Sequence, residues 1–229
     1  MKKAFTLAEV LITLGIIGVV AALTMPSLIA NHKKRETVVK LKKVYSILQQ
    51  GIKRAEVDYG QVDEWDFTLN STAFYEKYVK PYFNVAQEFI GVSLPLDVSY
   101  KTLGGADGNA YGKYSDSGTP KIILNDGTLI APARGTTSGI ISFIFMVDIN
   151  GYKKPNQFGK DMFFFDIKIP EGIVVPYTRG SAGVPDPFNY TRDDLIGQCQ
   201  QRSSSTGLTC AALIMMDGWE IKDDYPWAN

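Results

Sequence analysis

From Phe5 to Ala30 the chain runs through 26 mostly apolar positions with a single charge, Glu9. A helix of that length spans about 39 Å at about 1.5 Å per residue, enough to cross a hydrocarbon core about 30 Å thick with some tilt. Gly15, Gly18 and Pro26 weaken a helix in water and are better tolerated in membrane helices. Beyond Pro26 the pattern turns amphipathic. Val38, Leu41, Tyr45, Leu48, Ile52, Ala55 and Tyr59 recur three or four residues apart, while Lys40, Lys42, Lys43, Lys53 and Arg54 take other faces. The pattern predicts one helix continuing from the apolar segment to Tyr59, with Gly60 as its stop and its stripe packed on a sheet of the same chain.

The remainder reads as a mixed head. Ser71 is expected to cap a short helix through Lys80, with Phe74 and Tyr78 on one face and Pro81 ending it. Residues 103–119 are rich in Gly, Ser and Asp and predict an exposed loop. Ile122–Leu124 and Thr128–Ile130 flank Asn125-Asp126-Gly127, a hairpin signal, and the runs Ile140–Ile149 and Met162–Ile169 are β-branched and aromatic. Three or four antiparallel strands after a long helix predict an α+β fold. Trp219, Tyr225 and Trp227 predict a C-terminal segment docked on the core.

Composition changes the picture in one respect. The whole chain balances 24 basic against 24 acidic residues, which gives no reason to expect nucleic-acid binding. The balance hides a division: residues 1–54 hold 10 Lys/Arg and 2 Asp/Glu, residues 55–229 hold 14 and 22. A basic start before an apolar stretch also describes a removable signal peptide, with Val20 and Ala22 nearest a cleavage pattern. Glu9 counts against that reading. A carboxylate within an apolar helix costs about 2–4 kcal/mol, so it either snorkels to headgroups or meets a cation from another molecule.

The residues Lys2-Lys3-Ala4-Phe5-Thr6-Leu7-Ala8-Glu9, followed by Val10 to Gly18, resemble the N-terminal signal of type IV pilins and type II secretion pseudopilins. The resemblance implies cleavage by a prepilin peptidase between Ala4 and Phe5, on the cytoplasmic side, and methylation of the new Phe5 amine. The family usually has Gly before the cut, where this chain has Ala4. The resemblance also makes Glu9 the residue that attracts the N-terminal ammonium of a neighbouring subunit, and places Gly18 and Pro26 where filaments loosen their helix. It implies a cytoplasmic N-terminus and an exported head, although Lys33, Lys34 and Arg35 beyond the apolar run favour the reverse by charge counting.

The implied organisation is a leader at 1–4, a transmembrane or filament-core helix at 5–30, an amphipathic half at 31–60 and an exported head at 61–229. The implied partners are other subunits, the peptidase, inner-membrane assembly machinery and the bilayer, with no nucleic acid. The alternative is a membrane-anchored module whose head binds a surface, glycan or DNA without forming filaments.

Two constellations bear on chemistry. Asp148, Asn150, Asn156 and Asp161 offer hard oxygens suited to calcium, and some major pseudopilins bind calcium in a loosely similar region. The spacing is not that of an EF-hand, and the same residues suit a turn bonded to its own backbone; no other cofactor is expected. Cys199 and Cys210 are the only cysteines, too far apart for a CxxC pair. An exported head lies where disulfides persist and many pilins close a C-terminal loop this way, so the resemblance implies a bridge; two free thiols are the alternative. With His32 the sole histidine, the usual triads and HExxH sites have no home in the head, and an enzyme is not expected.

Overall fold

Helix α1 runs from Leu7 to Tyr59, 53 residues without a break, straight through Gly18 and Pro26. The structure, a computed structural model, describes residues 6–92, 94, 98–108, 118–137, 140–178, 189–200 and 207–227, the side chains of 134–137 and 140–142 excepted. Contacts divide the chain into Met1–Glu36 and Thr37–Asn229. In the first unit the apolar side chains face outward: Leu7, Leu14, Leu23 and Leu28 are all more than half exposed. Its hydroxyls turn back on the helix, Thr13 Oγ1 donating to the Val10 carbonyl and Thr24 Oγ1 to that of Val20, each at 2.9 Å. Such self-satisfaction suits a helix surrounded by apolar groups. The segment is long and apolar enough to be a membrane span or a signal sequence.

In the second unit α1 buries Thr37, Leu41, Val44, Leu48, Gly51, Ile52 and Ala55. Leu41, Leu48, Ile52 and Ala55 of the expected stripe form its centre, Val38 and Tyr45 flank it half-buried, and Tyr59 is 39% exposed. Gly51 belongs to the stripe because the Phe83 ring occupies its side-chain space, 2.4 Å from where a Cβ would lie. The stripe packs on one face of a six-stranded antiparallel sheet in simple sequential order. Its strands are β1 (Val85–Phe89), β2 (Lys121–Leu124), β3 (Leu129–Thr137), β4 (Ile140–Tyr152), β5 (Met162–Lys168) and β6 (Ile173–Pro176). The β2–β3 hairpin pairs Ile122 with Ile130 around Gly127, whose φ of +87° only glycine adopts readily.

Alternation along β4 and β5 sends Phe143, Phe145, Val147, Phe163, Phe165 and Ile167 toward α1. Met146, Met162 and Phe164 face the other side, where Tyr100, Phe158 and Leu208 cover them. Coverage of both faces explains why β5 reads as a continuous apolar run rather than an alternating one.

The fold is therefore α+β, with more strands than the three or four expected. Strand β1 is mostly exposed and carries Gln87 and Glu88, and β6 is four residues long, so neither shows an apolar alternation. The helix after residue 70 also differs. Its cap is Asn70, not Ser71: the Asn70 side chain accepts the Ala73 N–H at 2.9 Å. Helix α2 (Ser71–Phe74) widens over Tyr75–Val79 and tightens over Lys80–Tyr82, so Pro81 sits inside the final turn rather than stopping the helix. Phe74 and Tyr78 share the buried face as expected, with Phe74 stacked on Phe143 at 3.5 Å. Two further helices go beyond the expected elements: α3 (Arg192–Gln200), which is mostly polar, and α4 (Cys210–Met216), an unbroken apolar run too short to show a helical period. Of the expected loop at 103–119, residues 109–117 lie outside the described part.

Candidate functional site

Three places hold the residues singled out by sequence. Ala4 and Phe5 lie outside the described residues. Glu9 stands at the start of α1, where Thr6 and Glu9 form a reciprocal cap. Glu9 Oε2 accepts the Thr6 N–H at 2.8 Å and the Thr6 hydroxyl at 2.9 Å, and Thr6 Oγ1 accepts the Glu9 N–H at 3.3 Å. This is a Thr-x-x-Glu capping box, a signal present in the sequence. It gives the carboxylate donors within its own chain, so its presence in an apolar helix does not by itself demand a second molecule. The helix dipole favours negative charge at the same position.

The second place is the β4–β5 connection. Asp148 is fully buried and Asp161 and Asn156 are nearly so. Asp148 Oδ2 accepts the Tyr100 hydroxyl at 2.9 Å and Oδ1 accepts the Asn150 N–H at 3.1 Å. Asp161 accepts the Asn156 N–H at 2.8 Å and the Gln157 N–H at 2.6 Å. The Asn150 amide lies between the carboxylates, donating to Asp161 Oδ2 at 3.3 Å; turned about, its nitrogen reaches Asp148 Oδ1 at 2.7 Å. Burial pushes Asp148 well above the usual carboxylate range, and the nearby Asp161 charge adds to this. Burial raises Asp161 as well, opposed by the Gln157 and Asn156 N–H groups.

Sequence brings these four residues together, but their carboxylates are turned to N–H and O–H donors. Calcium takes six to eight oxygens. Asn156 Oδ1 is buried without a partner among the described residues. The described bonds are those of a turn stitched to its own backbone, with Tyr100 as a partner that spacing could not reveal.

The third place is the C-terminal region. Cys199 at the end of α3 and Cys210 at the start of α4 form a disulfide. Helix α3 opens with a second reciprocal cap: Asp194 accepts the Thr191 hydroxyl at 2.6 Å and Thr191 Oγ1 accepts the Asp194 N–H at 3.2 Å. Arg192 then grips two carboxylates. Its Nε and Nη2 donate to Asp217 at 2.6 and 2.9 Å, and its Nη1 and Nη2 to Asp224 at 2.8 and 2.7 Å. Burial works to raise Asp217, yet Arg192 and Lys222 together hold it below the usual range. Asp194 and Asp224 thus serve as cap and tether. The aromatic tail docks as expected, with Tyr225 in the core and Trp219 against Tyr45 at 5.1 Å.

Fold and site together define an α+β protein with one long apolar N-terminal helix and a disulfide-closed C-terminal region. The chain belongs to a family of unknown function (DUF6613), whose model matches residues 27–228. No curated protein and no solved structure matches it. The match begins one residue after Pro26 and covers the amphipathic half of α1 and the head.

Proposed function

We propose that the chain is a membrane-held structural subunit of a type IV pilus-like or type II secretion pseudopilus filament. The observation that carries this reading is the division of labour along α1. Its first half exposes an apolar surface with Glu9 near the tip, and its second half is the spine of an antiparallel sheet. A monomer has no use for so much exposed apolar surface outside a bilayer, and a filament core would cover it. In this reading a prepilin peptidase cuts between Ala4 and Phe5, Phe5 is methylated, and the subunit waits in the inner membrane with its head outside the cytoplasm.

Glu9 then has two successive partners. In the free subunit it closes on Thr6; in the filament it exchanges that cap for the Phe5 ammonium of a neighbour, with Gly18 and Pro26 giving the helix room to loosen. The deciding experiment is mass analysis of the mature N-terminus in the native host. Methyl-Phe at position 5 supports the reading, and a start near Leu23 or Asn31 overturns it. Glu9→Ala should abolish assembly while leaving the head folded.

A further inference from the structure

A cavity of about 430 Å³ opens between α1, the β2–β3 turn and the end of β4, all within the Thr37–Asn229 unit. Three lysines line it: Lys40 and Lys43 from α1, and Lys153 just past β4. Lys40 and Lys43 are three residues apart and so lie on neighbouring positions of one helix face. A single carboxylate lines the cavity with them, Asp126 from the turn. Its Oδ2 lies 2.8 Å from Lys43 Nζ, and its Oδ1 accepts the Thr128 N–H at 3.0 Å. That pairing holds the Lys43 ammonium at the wall while leaving the side chain 57% exposed, open to a second acceptor.

The remaining wall is mixed: Ile123, Ile149 and the Tyr152 ring, 38% exposed, give it apolar surface, and the Asn150 amide at its edge is already bonded toward the Asp148 and Asp161 carboxylates. Asp148 lies behind Asn150, and burial pushes its pKa well up, which weakens the negative charge it sets against the lysines. The lining thus brings together three lysines and one carboxylate whose two oxygens are already engaged, with the Asp148 carboxyl within electrostatic reach of Lys40.

We propose that this cavity binds a small oxyanion, a phosphate or carboxylate group carried on a body no larger than a sugar. Lysines act as point charges and suit either group without demanding one geometry. The volume falls within the range of small-molecule sites, about 300–1,000 Å³, and a concave, half-open pocket suits such a ligand better than a flat protein surface does. The inference does not rest on the filament reading, because a chain that never assembles can still bind and one that assembles can fail to.

Isothermal titration of the full chain in a neutral detergent tests it, with inorganic phosphate and glucuronate as probes and glucose and chloride as controls. Saturable binding of at least one probe is expected, and which probe binds tells phosphate from sugar carboxylate. A Lys40→Gln/Lys153→Gln variant should weaken it by about tenfold or more, whereas Lys33→Gln/Lys42→Gln, two lysines outside the cavity, should not. Absence of saturable binding by both probes, equal binding of glucose, or equal loss in both variants would overturn the proposal.

Discussion

The Tyr225 hydroxyl donates to the Gly159 carbonyl oxygen at 2.6 Å, joining the tail to a loop 66 residues earlier. Gly159 also abuts the disulfide: a Cβ there would lie 2.8 Å from Cys210 Sγ. Tail, bridge and β4–β5 connection thus meet at one stretch of backbone. Tyr225 is only 5% exposed, so removing its hydroxyl leaves a buried carbonyl without that donor. Tyr225→Phe is expected to cost about 1–2 kcal/mol in a urea melt, with an unchanged slope. Loss of the hydroxyl from Tyr59, 39% exposed, should change the midpoint little.

The bridge itself gives a second expectation. It joins residues 11 apart, and closing so short a loop stabilises by about 3 kcal/mol on the chain-entropy estimate. A Cys199→Ser/Cys210→Ser variant should lose about that much. Combined with Tyr225→Phe it should depart from additivity, because both act on Gly159. Additive losses would show that the two contacts are independent. Intact mass before and after reductant checks the bridge directly.

What sequence made legible follows from where periodicity is strong. The stripe from Leu41 to Ala55 is buried because a 3.5-residue spacing keeps one face turned to one sheet. The Gly127 hairpin was readable for a local reason, since three residues settle its geometry. Strand β1 escaped notice because its outward residues carry no alternation, and α3 because Thr191 and Asp194 announce a helix start only through their reciprocal cap. The partnership of Tyr100 with Asp148 spans 48 residues, and the grip of Arg192 on Asp224 spans 32; no spacing rule reaches that far. Thr6 and Glu9 are the instructive case. The carboxylate was conspicuous for its apolar surroundings, yet its nearest partner is three residues away.

Calcium should leave the head unmoved. The Asp148 and Asp161 oxygens are already acceptors for Tyr100, Asn150, Asn156 and Gln157. A site filled at about 100 times its Kd would add about 2.7 kcal/mol, or about 5–10 °C in a head of this size. Melting in calcium and in EDTA should instead agree to within about 1 °C. A shift of several degrees would restore the loop as a cation site. Asp161→Ala, by contrast, strips acceptors from two backbone N–H groups and should cost about 2–4 kcal/mol with or without metal.

Asp166 sets a pH dependence of a sign unusual for a carboxylate. It lies in β5 with 3% exposure, and its Oδ1 accepts the adjacent Ile167 N–H at 2.8 Å. Burial raises its pKa to about 7, and the Ile167 contact opposes the rise only in part. The unfolded chain releases this proton near pH 4, whereas the folded chain keeps it until about pH 7. Between those values the folded state binds more protons, so stability falls as pH rises and levels off above about pH 7. A shift of about three pH units corresponds to a loss of about 4 kcal/mol across the window. Asp166→Asn keeps an acceptor for Ile167 and removes the titration. Its stability should match that of the native chain near pH 4 and exceed it at pH 8, with Asp148 and Asp161 supplying slopes of the same sign in both proteins. Denaturant midpoints at pH 4.5, 6, 7 and 8 measure this, and parallel curves for the two proteins would show that Asp166 is ionised in the fold.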